Sequence, residues 1–535
     1  MPAPLLILSL DGASFEALRP LAAAGDMPVL AGLLARGAHG VLRSTIPPIT
    51  PVAWASFLTG KRPGKHGIWD FRVYDPAGYR DVFVSSRALR DPTLATLLAA
   101  AGRRVAVVNL PLMYPPPRDA GTIVAGFDAP SPASAFTHPP ELADRIRGAV
   151  PGFTFVATLE GGDVEDDARF AELLARVERS IAQRATVARL LLDDGPWDVF
   201  LLHVQDTDAL QHKVWADLVE PPRRPARRER LRGVYHELDA QLGALVARLP
   251  PEAHVLVISD HGFGEHRGRV YPNVLLRRWG VLAQPGRWRA RLVRSLRKRF
   301  GGTPRRRGGG DGWEARVREG GFAASLPVRW ASTRAYVAVA EIYGLLYLNL
   351  RGREPQGIVE PGAEAERLLD DLEQRLRAVA DPHDGTPVFA DVLRGPVVDP
   401  VDRHQRRPDL ILVPRPDLTV GRDLHDRLWL ERYPHPLGTH RPEGVLVLAG
   451  PGVRPGPLPA PVDLIDLAPT VLALADVAIP EDMDGRVLDE CFTAPLAARR
   501  VAGGAPATDG PLDGGLSADE ESDVAERLRA LGYLA

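Results

Sequence analysis

The chain has 535 residues, 45% of them hydrophobic and 25% charged, so it can bury a sizeable core; its formal net charge of −2 gives no overall argument for nucleic acid or an acidic partner. Cys491 is the single cysteine, which excludes an intrachain disulfide and a thiolate metal cluster. The opening run MPAPLLILSLDG carries no basic residue ahead of Asp11, and no stretch approaches about 18 continuous apolar residues. Neither a signal peptide nor a membrane span is expected, and a cytoplasmic location is the default.

Leu5 to Leu10 is a continuous apolar run of the kind a strand covered on both faces requires, and it ends on Asp11-Gly12. A helix is expected over Pro28 to Arg36 and a short strand near Val41. Thr50 stands directly before Pro51, and proline is favoured at the first position of a helix, so the reading makes Thr50 the N-cap of a helix running to about Thr59. Free N–H groups and a positive dipole end at such a start suit an anion such as phosphate, which makes Thr50 a candidate nucleophile as well as a structural cap. Thr93 to Ala101 reads as a helix stopped by Gly102, and Arg104 to Val108 as a buried strand ending at Asn109.

The spacing of Phe170, Leu173, Leu174, Val177, Ile181 and Val187 predicts a helix over about 167–194. Val199 to Val204 follows as a strand that runs into Gln205-Asp206-Thr207-Asp208. A helix over 230–249 then leads to the strand His254 to Ser259 and to Asp260-His261-Gly262. Alternating strands and helices indicate an α/β fold, and ligands of open α/β sheets bind at the carboxyl ends of strands. Three apolar strands here end in carboxylates.

Between about 275 and 396 the pattern changes. Segment 287–307 carries ten basic residues and no acidic one, with Trp288, Leu292, Leu296 and Phe300 at four-residue spacing. It reads as a basic amphipathic helix that makes a peripheral contact with lipid headgroups or another phosphate-rich ligand, or else as a solvated insert. The sheet pattern resumes at Leu410 to Val413 and Val445 to Leu448, and 463–475 reads as a helix. Residues 501–515 are rich in Gly, Pro and Ala; Ser517-Ala518-Asp519-Glu520 is then a capping box opening a helix with Val524, Leu528 and Leu531 on one face and Gly532 as its stop. The expected organisation is a discontinuous core of 1–275 and 396–495, an insert at 276–395, a flexible linker at 496–516 and a terminal helix at 517–535.

The residues that carry chemistry are Asp11, Thr50, Asp208, His212, Asp260, His261 and a late histidine. Asp208 and His212, four apart, share one face of a helix, about 5–6 Å apart at Cβ. For the late histidine, His440 is preferred over His435 because it lies closer to the strand from Val445. His39, His66, His203, His236, His254 and His266 lack a comparable partner spacing and read as structural or surface residues. Oxygen and nitrogen ligands without sulfur suit two Zn²⁺ ions, with Mn²⁺ or a mixed pair as the alternative.

Asp11 after the first strand, TPVAWASFLTGKRPGKHGIWDF, DALQH, SDHGFGEH and GTHRPEG, taken in that order, resemble the alkaline phosphatase superfamily, in its type I phosphodiesterase and nucleotide pyrophosphatase branch, over most of 5–488. The resemblance implies an α/β/α sandwich around a central, mostly parallel sheet with an inserted cap-like subdomain. It implies that Asp11, Asp260 and His261 hold one metal together with the Thr50 oxygen, that Asp208, His212 and His440 hold the other, and that Asp206 stands behind them. The implied reaction is cleavage of a phosphodiester or pyrophosphate bond through a phosphothreonine on Thr50. Members of the branch carry an asparagine 21 residues after the threonine to bind a phosphoryl oxygen; here that position is Phe71, preceded by Asp70. Lys61, Lys65 and Asn109 are the candidate substitutes. The expected substrate is a small-molecule, lipid or glycan phosphoester, with no specific nucleic-acid binding. Two alternatives stay open: a phosphomonoesterase of the same superfamily, and a phosphotransferase acting on a lipid or glycan acceptor with 287–307 docked at a membrane.

Overall fold

The computed structural model describes residues 3–159, 164–284, 328–425, 428–503 and 516–531; the basic segment 287–307 and Gly532 lie outside the described residues. The chain divides into two units. The first comprises Met1–Phe71, Phe83–Arg267 and Pro434–Ala535, the second Arg72–Val82 and Gly268–Tyr433, so the second unit begins before and ends beyond the 276–395 insert expected from the sequence.

The first unit is built on one sheet with strands β1 (Leu5–Leu10), β2 (Ala38–Arg43), β3 (Val105–Val108), β4 (Thr122–Val124), β5 (Thr137–His138), β6 (Val199–Val204), β7 (His254–Ile258) and β8 (Glu443–Ala449). Their order is β2-β8-β7-β1-β6-β3-β4-β5, with the short Gly456–Pro457 pairing outside β2. From β7 through β4 the pairings are parallel; β8 runs antiparallel to both β2 and β7, and β5 antiparallel to β4. Successive side chains of a strand point to opposite faces, yet every residue of β1, β6 and β7 is buried, so the sheet is covered on both sides. That is why these strands read as unbroken apolar runs. Leu5 lies beside both Val199 and His254, which brings the carboxyl ends of β1, β6 and β7 to one edge.

Four helices of this unit line or brace that edge and its surroundings: α1 (Thr50–Thr59), α2 (Asp167–Leu192), α3 (Asp206–Leu218) and α4 (Ala518–Leu531). The carboxylate of Asp166 caps α2 by accepting the N–H groups of Ala168 and Arg169. The capping box at Ser517 forms as expected: its N–H and O–H each donate to Glu520 Oε2 at 2.8 Å, and Glu520 N–H returns to Ser517 Oγ. α4 buries Val524, Ala525, Leu528 and Leu531. Among the described residues no single helix is long and apolar enough to cross a membrane.

Three boundaries differ from the sequence expectation. The helix expected over 230–249 spans Pro225–Val246, because Pro225 supplies the same first-turn signal as Pro51. Leu410–Pro414 belongs to the second unit, where it pairs antiparallel with Gly344–Leu348 and Phe389–Arg394 in a four-stranded sheet, and does not resume the central one. Within the expected linker, Arg500–Val501 pairs with Ile479–Pro480.

Candidate active site

Thr50 is the first residue of α1, and Ile49 is its N-cap in extended conformation. The expectation that Thr50 is the cap is corrected by one position. Pro51 has no N–H, and those of Val52 and Ala53 both bond the Ile49 carbonyl, each at 3.0 Å. The anion-facing donors expected in this turn therefore reduce, among the described residues, to the N–H of Thr50 itself. Every residue of α1 is buried, so the position of the Thr50 hydroxyl is fixed by packing.

Strand ends bring the other groups to Thr50. β1 delivers Asp11, β7 delivers Asp260-His261, the first two turns of α3 deliver Asp208 and His212, and the strand Leu430–Arg441 delivers His440 just before β8. Thr50 Oγ1 lies 3.4 Å from His261 Nε2, which is 3.5 Å from Asp11 Oδ1 and 3.4 Å from Asp260 Oδ2. Asp208 Oδ1 sits at the centre, 3.3 Å from His440 Nε2, 3.5 Å from His212 Nε2 and 4.0 Å from His261 Nε2. Gly12 makes room for this packing: its φ is +64°, and a Cβ there would meet the Phe263 ring at 2.8 Å and Asp208 Oδ1 at 3.2 Å.

The histidine tautomers follow from their partners. Nδ1 of His212, His261 and His440 faces the carbonyl of Gly438, Gly262 and Pro48 respectively, each at 3.1 Å, and a carbonyl can only accept. Each Nδ1 thus carries the proton, and each Nε2 lone pair points inward. Burial holds all three rings neutral, pushing His212 down to about 4 and His440 to about 3, and His261 well below its ordinary value, the last helped by the nearness of the His440 ring, which disfavours a second proton in the cluster. The Nε2 atoms of His212 and His440 face each other at 3.1 Å. Two lone pairs at that distance call for a cation between them. Burial first, and the charges of neighbouring carboxylates second, drive Asp11 and Asp260 well above the usual carboxylate range. Among the described residues, Asp260 Oδ2 is buried with no hydrogen-bond donor. The ligand atoms of Asp208, His212 and His440, and those of Asp11, Asp208 and His261, form two groups, each within 4.8 Å. This donor set fits divalent cations of the Zn²⁺ or Mn²⁺ type.

The remaining sequence candidates separate clearly. His440 is 2% exposed and inside the cluster, whereas His435 is exposed. Asp206 faces away: Oδ1 accepts the Ala157 N–H at 2.9 Å and Oδ2 lies 3.3 Å from Nε of the buried Arg184 on α2. Lys61 and Lys65 are not at the site. At 1.5 Å per residue, α1 carries Lys61 roughly 15 Å from Thr50, and there Lys61 Nζ pairs with Asp91 at 2.6 Å and Asp482 at 2.5 Å, while Lys65 Nζ pairs with Asp484 at 2.5 Å. Asn109, at the end of β3, donates to the His203 carbonyl at 3.3 Å and has a left-handed φ of 65°. Phe71 is buried, and the N–H of Phe71 donates to Asp70 Oδ1 at 2.6 Å.

His203, which its spacing marks as structural or surface, touches the site. Its Nε2 lies 2.9 Å from Gln205 Oε1 and 3.3 Å from Asp11 Oδ2, while Ser9 Oγ donates to Nδ1 at 2.9 Å and Trp54 packs edge-on against the ring. Ser9 and His203 are register partners on adjacent strands. A histidine inside an apolar strand, two residues before the turn at Gln205, is the signal the sequence offers.

The profile described as type I phosphodiesterase / nucleotide pyrophosphatase matches residues 5–443. No curated protein matches the chain. Among solved structures, phosphonoacetate hydrolase from Sinorhizobium meliloti, in complex with phosphonoacetate, superposes with a TM-score of 0.54 at 19% identity, covering 89% of this chain and 96% of that one. Murine ectonucleotide pyrophosphatase / phosphodiesterase 5 gives a TM-score of 0.49 at 13% identity with the same coverage. The match over most of the chain, on a sheet whose carboxyl edge gathers Asp and His side chains beside a threonine, leads to one assignment: this protein belongs to the type I phosphodiesterase / nucleotide pyrophosphatase family of metal-dependent phosphoester hydrolases, in the alkaline phosphatase superfamily.

Proposed function

We propose that the protein is a phosphodiesterase that works through a covalent phosphothreonine on Thr50, with two divalent metals held by the cluster. Asp11, Asp260, His261 and the Thr50 oxygen would hold one ion and Asp208, His212 and His440 the other, with Asp208 Oδ1 central to both groups. The observation that carries this reading is the convergence of three inward Nε2 lone pairs on Asp208 Oδ1, with one of them, His261 Nε2, 3.4 Å from the Thr50 hydroxyl. Bound metals would supply the positive charge that makes a threonine alkoxide accessible at neutral pH and offsets charge on phosphorus. Thr50 Oγ attacks phosphorus in line with the leaving alkoxide, forming the Thr50 O–P bond as the P–O bond to the leaving group breaks. Water then attacks phosphorus from the same side the leaving group vacated, and the Thr50 oxygen departs. The buried α1 fixes the attacking oxygen throughout, and the Thr50 N–H faces the phosphoryl oxygens.

The test is hydrolysis of p-nitrophenyl phosphodiesters and of the monoester by protein loaded with Zn²⁺ or Mn²⁺, alongside Thr50→Ala and metal counting by elemental analysis. Two ions per chain, preference for the diester, and loss of turnover in Thr50→Ala with one or both metals retained support the reading. One ion per chain, or full turnover in Thr50→Ala, would sink it. If both ions bind and no ester is cleaved, transfer to lipid or glycan hydroxyls becomes the activity to assay, with phosphonoacetate as a further arm.

A further inference from the structure

We propose that Trp54 is a positioning residue: its indole N–H completes a hydrogen bond to the Asp11 carboxylate once a bound metal keeps that carboxylate charged, and so ties occupancy of the metal site to the placement of Thr50. The inference rests on the reading that Asp11 and the Thr50 oxygen share one ion.

Thr50 and Trp54 stand four residues apart on α1, so their side chains leave the same face of the helix, about 5–6 Å apart at Cβ. Both are fully buried. The indole is held between two rings, with centroids 5.4 Å from Phe57 and 5.1 Å from His203, nearly perpendicular to each. His203 Nε2 in turn lies 3.3 Å from Asp11 Oδ2, while Asp11 Oδ1 faces His261 Nε2 at 3.5 Å. The carboxylate thus turns one oxygen toward the metal ligands and the other toward the ring against which Trp54 packs.

Among the described residues, Trp54 Nε1 and both Asp11 oxygens are buried without a complete hydrogen bond. Burial, and after it the charge of Asp208, push Asp11 toward its neutral form; against them, the Trp54 N–H and the Gln205 side chain favour the carboxylate. Donor and acceptor therefore approach each other but fall short of full hydrogen-bond geometry. A buried donor left in that state is costly, and a phenylalanine would fill the same space with no donor to satisfy. Core filling accounts for the ring and leaves the N–H without a purpose. With a divalent cation bound, Asp11 is an anion and offers the indole a charged acceptor, the stronger kind. Because Trp54 shares α1 with Thr50, the same bond holds the helix against Asp11 and sets the hydroxyl in place.

The test uses the full chain with ¹⁵N-labelled tryptophan. The chain has nine tryptophans, and the Trp54 indole signal is the one missing from Trp54→Phe, which keeps an aromatic ring against Phe57 and His203. In the wild type this signal is expected to move downfield as Zn²⁺ is added. In a competitive chelator titration, Trp54→Phe should weaken one of the two Zn²⁺ steps about 10- to 100-fold and leave the other in place. With Zn²⁺ saturating, kcat for a p-nitrophenyl phosphodiester should fall by up to about 100-fold at nearly unchanged KM, since a nucleophile displaced by about 1 Å suffices for such a loss. Trp54→Leu supplies the assignment and the titration if Trp54→Phe loses its circular dichroism. A Trp54 signal that ignores Zn²⁺, an unchanged Zn²⁺ affinity, or an unchanged kcat at saturating Zn²⁺ would overturn the proposal while the metal centre stands. A wild type that binds no Zn²⁺ would overturn the metal centre and the proposal together, so the two failures are distinguishable.

Discussion

Asp206 and Asp208 are two residues apart on α3, and the structure predicts opposite consequences for neutralising each. Arg184 is 1% exposed, and Asp206 is its ion-pair partner among the described residues, Nε to Oδ2 at 3.3 Å. Asp206→Asn keeps an acceptor for the Ala157 N–H but leaves the guanidinium buried without a countercharge, a loss expected to cost about 3–5 kcal/mol. Asp206→Ala adds an unsatisfied amide, for about 1–3 kcal/mol more, less than additively because the groups are neighbours. Asp208→Asn in the metal-free protein removes a charge that pushes Asp11 and Asp260 upward, so stability should hold or rise while metal binding is lost. Denaturant midpoints of the metal-free proteins, followed by circular dichroism, read the differences. Arg184→Met combined with Asp206→Asn should recover most of the loss. A cost below about 1 kcal/mol for Asp206→Asn would refute the reasoning, since it would mean that water reaches the pair.

The same geometry sets other outcomes. His203→Phe keeps a ring against Trp54 but removes the donor beside Asp11, and should weaken metal binding about 10- to 100-fold in a competitive chelator titration. His435→Ala should leave metal content unchanged. Addition of Zn²⁺ at about 100 times its dissociation constant should stabilise the protein by about 2.7 kcal/mol for each site filled, relative to the chelated form, read as an upward shift of the melting temperature. Asp128 titrates near 6 in the folded protein against an ordinary value of 3.8. Its carboxyl therefore favours the fold fully below the lower value, and that contribution is lost as pH rises through 6. Asp128→Asn should gain up to about 3 kcal/mol relative to wild type at pH 8, with the difference vanishing near pH 4.

The strands are legible in the sequence because buried strands are apolar on both faces and end in polar residues, as β1, β6 and β7 do. Asp11, Asp260 and His261 are therefore visible at strand ends, and Asp208 with His212 through helical spacing. Sheet membership is not visible, since Leu410–Pro414 has the same apolar character as β8 and differs only in its partners. Proximity along the chain misleads at Lys61 and Lys65, which a helix carries away from Thr50, and the Thr-Pro signal is right about the helix and wrong by one residue about which group starts it. The role of Ser9, His203 and Arg184 depends on contacts across strands and helices far apart in sequence, for which spacing offers no clue.

The placement of β8 bears on how the chain must be made. β8 is inserted between β2 and β7, two strands that are both complete by residue 258, and it runs antiparallel to each. Until residue 449 is available, both strands present bare backbone edges to the surroundings, and that of β7 belongs to a strand buried along its whole length, the arrangement that templates association between chains. His440 arrives with the same segment. A chain that stops or is cut before β8 would thus be both metal-deficient and prone to aggregate, so completion of the sheet and completion of the catalytic centre become a single late event.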